Sequence, residues 1–144
     1  NGRGVAIALD EAADAAWIAT RYEGVLGDLY YVVAGSPDPP RLVRERLLNV
    51  TDLELDPATR SVWVSERGAS LTGNGRLTRI APTGETLATL TRIEPYGLAV
   101  EVGSSSCWVT DLASDRLLEV APNGAIARRS PPLGVPYGVR VHRP

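Results

Sequence analysis

Apolar and polar positions alternate along most of this chain, in short runs that return in the same order three times. Three runs open the repeats: "GVAIALD" (4–10), "TDLELD" (51–56) and "GLAVEV" (97–102). Each is followed by a run centred on a tryptophan: "AAWIAT", "SVWVSE" and "SCWVTD". A third run comes after a polar loop: "GDLYYVVA" (27–34), "GRLTRIAP" (75–82) and "DRLLEVAP" (115–122). The turns "GSPDPP", "PTG" and "PNG" then lead to a fourth: "RLVRERL" (41–47), "ETLATLTRI" (85–93) and "AIARRS" (125–130). Period-two alternation, β-branched and aromatic residues, and flanking Gly, Pro, Asn and Asp predict a β-strand for every run. The Ala-rich stretch "LDEAADAAWI" (9–18) has a helical composition, but the repeat sets it against "LDPATRSVWV" (55–64). There Pro57 and the β-branched residues favour strand, turn, strand, and the first copy takes the same prediction.

Trp17, Trp63 and Trp108 recur at spacings of 46 and 45 residues. Four antiparallel strands every ~40–50 residues is the period of a β-propeller blade. A blade is a twisted sheet with two apolar faces, which it buries by stacking on its neighbours. The equivalent tryptophans are therefore assigned to the layers between blades. The predicted fold is all-β: a β-propeller segment of three four-stranded antiparallel blades plus one extra C-terminal strand. As a single segment over 1–144, it divides into blade 1 at about 4–47, blade 2 at about 51–93, blade 3 at about 97–130 and the extra strand at 138–144. That last strand belongs to "PYGVRVHRP" (136–144), which begins like "PYGLAVEV" (95–102).

Closed propellers need about four to eight blades. Three blades leave two apolar faces open, and faces of that size call for a partner. The expectation is self-association or the remaining blades of a longer parent chain, with the last strand pairing outside its own blade. In a two-copy ring, residues 138–144 and the partner's residues 4–10 would claim the same slot. This conflict favours a parent chain or an open, strand-donating assembly.

Composition adds exclusions. The formal net charge is −2 and hydrophobic residues make up 44%, which suits one domain with a core. No apolar run is long enough to span a bilayer, and no signal-peptide pattern is present. All 15 basic residues are arginine, and Lys, Phe, Gln and Met are absent. Without an initiator Met, the expectation is a matured product or a piece of something longer. The single cysteine, Cys107, excludes an internal disulfide, a CxxC pair and a Cys-based zinc site. Between Ser106 and Trp108 it reads as a buried small hydrophobe and leaves the redox compartment open.

The stretch "PYGLAVEVGSSSCWVTDLASDRLLEVAPNG" (95–124) resembles the NHL-type repeat, whose motif runs Pro-x-Gly-hydrophobic-Ala-Val, Val-Trp-Val-Thr-Asp, Arg-hydrophobic and Pro-x-Gly. It is also similar to the repeat of the virginiamycin B lyase (streptogramin lyase) group, where Pro-aromatic-Gly opens the blade. The middle repeat matches from Leu53 to Gly84, and the first only in "VAIALD" and "AWIAT". The resemblance implies a propeller over essentially the whole chain and an extracellular or periplasmic location. The lyase resemblance also implies metal-assisted lactone cleavage by histidine and glutamate. Here the only histidine is His142, within the last three residues, and Glu66 matches only a repeat position. The activity is not carried over.

Loops on one face of a propeller are the usual place for a site. Tyr96 and Tyr137 recur at equivalent places there, where they either stack on a sugar or ring system or pack against the adjacent blade. Packing is the preferred reading. Glu66 and Asp111 are also equivalent. They either converge on a divalent cation or cap local turns through backbone N–H groups, and capping is preferred. Arg21, in the loop "TRYEGVLGD" (20–28), completes the ligand-binding candidates. No catalytic residue, resident metal or cofactor is assigned. "RLVRERL" and "ARRS" fall on outermost strands of an acidic chain, where arginines protect sheet edges, so nucleic acid is not an expected partner. "NVT" (49–51) matches a glycosylation sequon.

The leading expectation is a non-enzymatic propeller scaffold for binding or assembly. The alternatives are half of a metal-assisted lyase or lactonase-type enzyme, or an extracellular filament subunit that donates its last strand.

Overall fold

The computed structural model describes residues 3–22, 24–69 and 74–141. Among them, twelve strands form three four-stranded antiparallel sheets, each in sequence order. The first holds β1 (Arg3–Asp10), β2 (Ala15–Arg21), β3 (Leu26–Val33) and β4 (Arg41–Leu48). The second holds β5 (Val50–Leu55), β6 (Val62–Glu66), β7 (Gly75–Ile80) and β8 (Thr86–Ile93). The third holds β9 (Pro95–Val100), β10 (Cys107–Asp111), β11 (Arg116–Val120) and β12 (Ile126–Arg129). These are propeller blades, and their first strands β1, β5 and β9 lie side by side along the inner edge. The ambiguous Ala-rich stretch is strand, turn, strand as expected, with a 3-10 turn at Glu11–Ala13 that ends in left-handed Asp14.

Register makes the repeat visible as rows. Across the first sheet, Ala8 pairs with Trp17, Trp17 with Tyr31 and Tyr31 with Arg41. The second row is Glu54, Trp63, Arg79 and Ala88. The third is Ala99, Trp108, Glu119 and Arg128. Side chains in one row point to one face of the pleat, so all three tryptophans lie on the equivalent face of their sheets, which for Trp17 and Trp63 faces the next blade.

Two cores follow. Trp17, Ala19, Leu29, Val50, Leu53, Val62, Val64 and Ile80 fill the layer between blades 1 and 2. Trp63, Leu77, Leu98, Cys107, Val109, Leu118 and Val120 fill the layer between blades 2 and 3. Trp17 and Trp63 are fully buried, whereas Trp108, which has no blade in front of it, is only partly covered. At the other end, Ile7 and Leu9 are 59% and 61% exposed. They hold the repeat positions at which Leu53 and Leu55 pack against the preceding blade.

The additional C-terminal segment runs along β9, at the inner position of a fourth blade. A Cβ on Gly97 would lie 2.8 Å from the Tyr137 carbonyl oxygen, so glycine permits this close approach. Residues 138–141, the described part of the expected strand, form no ladder. A ladder needs an adjoining second strand, and none follows this segment among the described residues. Residues 142–144, His142 included, lie outside the described residues, as do 70–73 of the loop after β6.

Candidate functional site

Glu66 ends β6 and Asp111 ends β10, at the same corner of successive blades. Each carboxylate reaches back to the backbone entering its own blade. Glu66 Oε1 accepts the Leu48 N–H at 2.8 Å, and Asp111 Oδ1 accepts the Glu94 N–H at 2.8 Å. Each carboxylate accepts two further bonds. Arg76 donates to both Glu66 oxygens, at 2.5 and 2.9 Å. Asp111 also takes the Ala113 N–H at 3.2 Å and the Ser114 hydroxyl at 2.5 Å. Both carboxylates are buried, at 1% and 4% exposure. A buried acid must be satisfied, and these two are satisfied by the turns they brace.

Tyr96 and Tyr137 do meet. Their rings stand edge to face with centroids 5.4 Å apart. Tyr137 is 60% exposed, while Tyr96 is half-buried beneath the Arg67 guanidinium, 5.7 Å from its ring centre. Arg67 pairs with buried Glu94, whose N–H goes to Asp111. A continuous patch thus runs from Tyr137 through Tyr96, Arg67 and Glu94 to Asp111. Arg67 Nε is buried without an acceptor among the described residues. Arg21 stands apart, exposed at the end of β2 opposite Arg3. Sequence reasoning missed Arg67 and Glu94. Their signal was weak: Arg67 follows Glu66 in "WVSERG", and Glu94 precedes the Pro-Tyr-Gly triplet.

A cavity of about 450 Å³ opens between β5, β9 and the C-terminal segment, with Asp52, Glu54 and Arg140 among its lining residues. Burial pushes the Asp52 carboxyl above its usual range, although the Leu98 and Leu53 N–H groups bond it. Thr51 of the sequon donates to the Tyr96 carbonyl at 3.1 Å and bonds the Ser65 hydroxyl, tying blade 2 to blade 3. Burial, with Glu54 and Asp52 nearby, raises the Cys107 thiol well above its ordinary value and keeps it protonated. Among the described residues, no group of three His, Cys, Asp or Glu side chains is placed to hold a metal ion, and no helix is long and apolar enough to cross a membrane.

Chemically, the patch offers an aromatic edge beside a cation, suited to holding a flat or polar group. Comparison with known proteins agrees with the architecture. No family model and no curated protein matches the sequence. Among solved structures, the chain is similar to one in a nidogen/laminin complex, with 19% identity and a TM-score of 0.72 over 94% of this chain and 51% of that one. It is similar to streptogramin B lyase at 17% identity and a TM-score of 0.62, over 95% of this chain and 44% of the lyase. A protein of unknown function from Bacteroides caccae matches at 14% identity and a TM-score of 0.59, over 96% and 49%. At these identities the likeness establishes the propeller-type fold. The chain spans about half the length of the solved structures it matches.

Proposed function

We propose that this chain is a non-enzymatic propeller scaffold for binding or assembly, three blades of a ring closed by further blades of a longer chain or by other subunits. The observation that carries this reading is the graded burial of three equivalent tryptophans. Trp17 and Trp63 are sealed between blades, and Trp108 faces an unfilled seam. An extracellular or periplasmic location belongs to the same reading, on the NHL-type resemblance alone. The lyase or lactonase alternative would recruit Glu66 or Asp111 to a metal, and a cation there would have to displace the bonds that both already accept. The patch around Tyr96 and Tyr137 is the proposed contact surface.

The test is the solution mass of the 144-residue chain by light scattering across a wide concentration range, with an apolar dye added. Dye binding by the monomer, or association that quenches the dye, is expected. A monodisperse monomer that binds no dye would overturn the reading. Continuously growing mass would identify the filament form of assembly.

A further inference from the structure

Each filled seam is crossed by two recurrent polar contacts. In the first contact, a guanidinium lying on the aromatic row reaches a turn carbonyl of the next blade. Arg41 lies over the Tyr31 ring, itself against Trp17, and donates to the Pro82 carbonyl. Arg79 lies over Trp63 and donates to the Pro122 carbonyl at 3.3 Å. Pro82 and Pro122 start the equivalent "PTG" and "PNG" turns.

In the second contact, an acid at the end of the first strand receives a donor from a left-handed residue of the next blade's first turn. Asp10 accepts Arg60 Nε at 2.9 Å. At the next seam the Ser105 side chain lies close enough to Asp56 to help hold that carboxyl below its usual range. Arg60 and Ser105, both at φ 58°, hold equivalent positions.

Blade 3 carries both halves of a third seam with nothing to receive them. Arg128 lies over Trp108, its guanidinium carbon 5.1 Å from the ring centre. Its side chain is 65% exposed, and Nε turns back to Glu119. Its terminal nitrogens meet no carbonyl among the described residues. Glu101 is the repeat equivalent of Asp10 and Asp56, and its carboxylate accepts only the Ser104 hydroxyl of its own blade turn, at 3.0 Å, among the described residues.

We propose that the outer face of blade 3, formed by Trp108, Arg128 and Glu101, selects a propeller blade that presents a turn carbonyl to Arg128 and an Arg, Lys, Ser or Thr donor to Glu101, and that it rejects blade 1 of a second copy. The rejection follows from charge. The blade 1 counterpart of Arg60 and Ser105 is Asp14, at φ 47°. Docked in the third seam, Asp14 would face Glu101, acid against acid, where the two filled seams pair an acid with a donor. The occupant is therefore a blade of complementary chemistry, and this inference rests on the ring-closure reading above.

Charge reversal tests it in the full chain. Asp14→Arg puts on blade 1 the residue type that Arg60 already carries in the same left-handed turn. Sedimentation velocity would compare wild type, Asp14→Arg, Glu101→Arg and the double variant. Wild type is expected to show no saturable dimer. Either single reversal is expected to lower the concentration needed for association about tenfold, and the double variant to return to wild type, since each single change turns repulsion into attraction. A saturable wild-type dimer that Asp14→Arg does not strengthen would make a second copy the occupant and overturn the proposal, while leaving ring closure intact. No gain in either single variant, or equal gain in the single and double variants, would also overturn it. Failure of ring closure itself shows separately, as a wild-type monomer that binds no apolar dye.

Discussion

Truncating Trp63 and Trp108 in turn asks whether the third seam is open in solution. Trp63 has no exposed surface and packs among Leu77, Leu98, Cys107, Val109 and Val120. Trp63→Ala removes that contact and leaves a cavity, at a cost of about 3–5 kcal/mol. Trp108 holds the equivalent row position but is partly exposed, with Arg128 over its ring. Trp108→Ala forfeits partial burial and a solvent-accessible cation–π contact, together about 1–2 kcal/mol. For a chain of 144 residues, each kcal/mol moves Tm by about 2–4 °C. Trp63→Ala should thus lower Tm by on the order of 10 °C and Trp108→Ala by about a third of that. The assay is urea and thermal unfolding at a concentration where the chain is monomeric. Acrylamide quenching should reach Trp108 in wild type and spare Trp17 and Trp63. If Trp63→Ala does not fold, Trp63→Leu supplies the comparison. Equal losses at the two positions, with Trp108 shielded from quencher, would refute the reasoning, because its ring would then be as enclosed as the other two.

Two further outcomes concern titratable groups in the seams. Burial pushes the Asp56 carboxyl up, but hydrogen bonds from Thr59, Ser105 and the Ala58 N–H, with the Arg79 charge, outweigh it and hold it below the usual range. A depressed folded pKa adds stability above the unfolded value, and this is lost as pH falls through the folded value. Asp56→Asn should therefore flatten the acid limb of the stability curve in urea melts, and an unchanged limb would sink the assignment. Buried Cys107 should react with a thiol reagent only through opening, at least about a thousandfold slower than in the unfolded chain. Stoichiometric reaction in native buffer at the free-thiol rate would contradict its placement in the core.

Most of the fold is legible in the sequence because a blade is built from local rules. The β7 strand was expected over 75–82 and runs Gly75–Ile80. Ala81 already belongs to the turn, whose Gly84 N–H returns to the Ala81 carbonyl. The tryptophan layers are equally legible, since spacing and alternation put Trp17, Trp63 and Trp108 on the same face of successive sheets. The extra strand is legible in position and not in bonding. "PYGV" repeats "PYGL" and takes the inner slot beside β9, but a ladder needs an adjoining second strand. The candidate site is harder to read, because its bonds span long intervals. Glu66 reaches the Leu48 N–H across 18 positions, and Asp111 reaches the Glu94 N–H across 17. Nothing in a local motif announces that a carboxylate is already engaged. Arg67 and Glu94 belong to different blades, and their pairing appears only once the blades stack.

The same distinction explains why the open seam is informative. A repeat protein repeats its interfaces as well as its elements, so a filled seam describes what an unfilled one requires. The first two seams agree on geometry while differing in residues. An arginine comes from β4 in one and from β7 in the other, and an acid meets a guanidinium in one and a serine side chain in the other. Geometry is thus the invariant, and charge is the variable that can discriminate among blades. Arg128, supplied by β12, and Glu101 preserve the geometry at the third seam, and Asp14 on blade 1 breaks the charge rule. A ring built this way would order its blades by the group each seam sets opposite one acid, donor or like charge, without altering the apolar layer that supplies most of the stability.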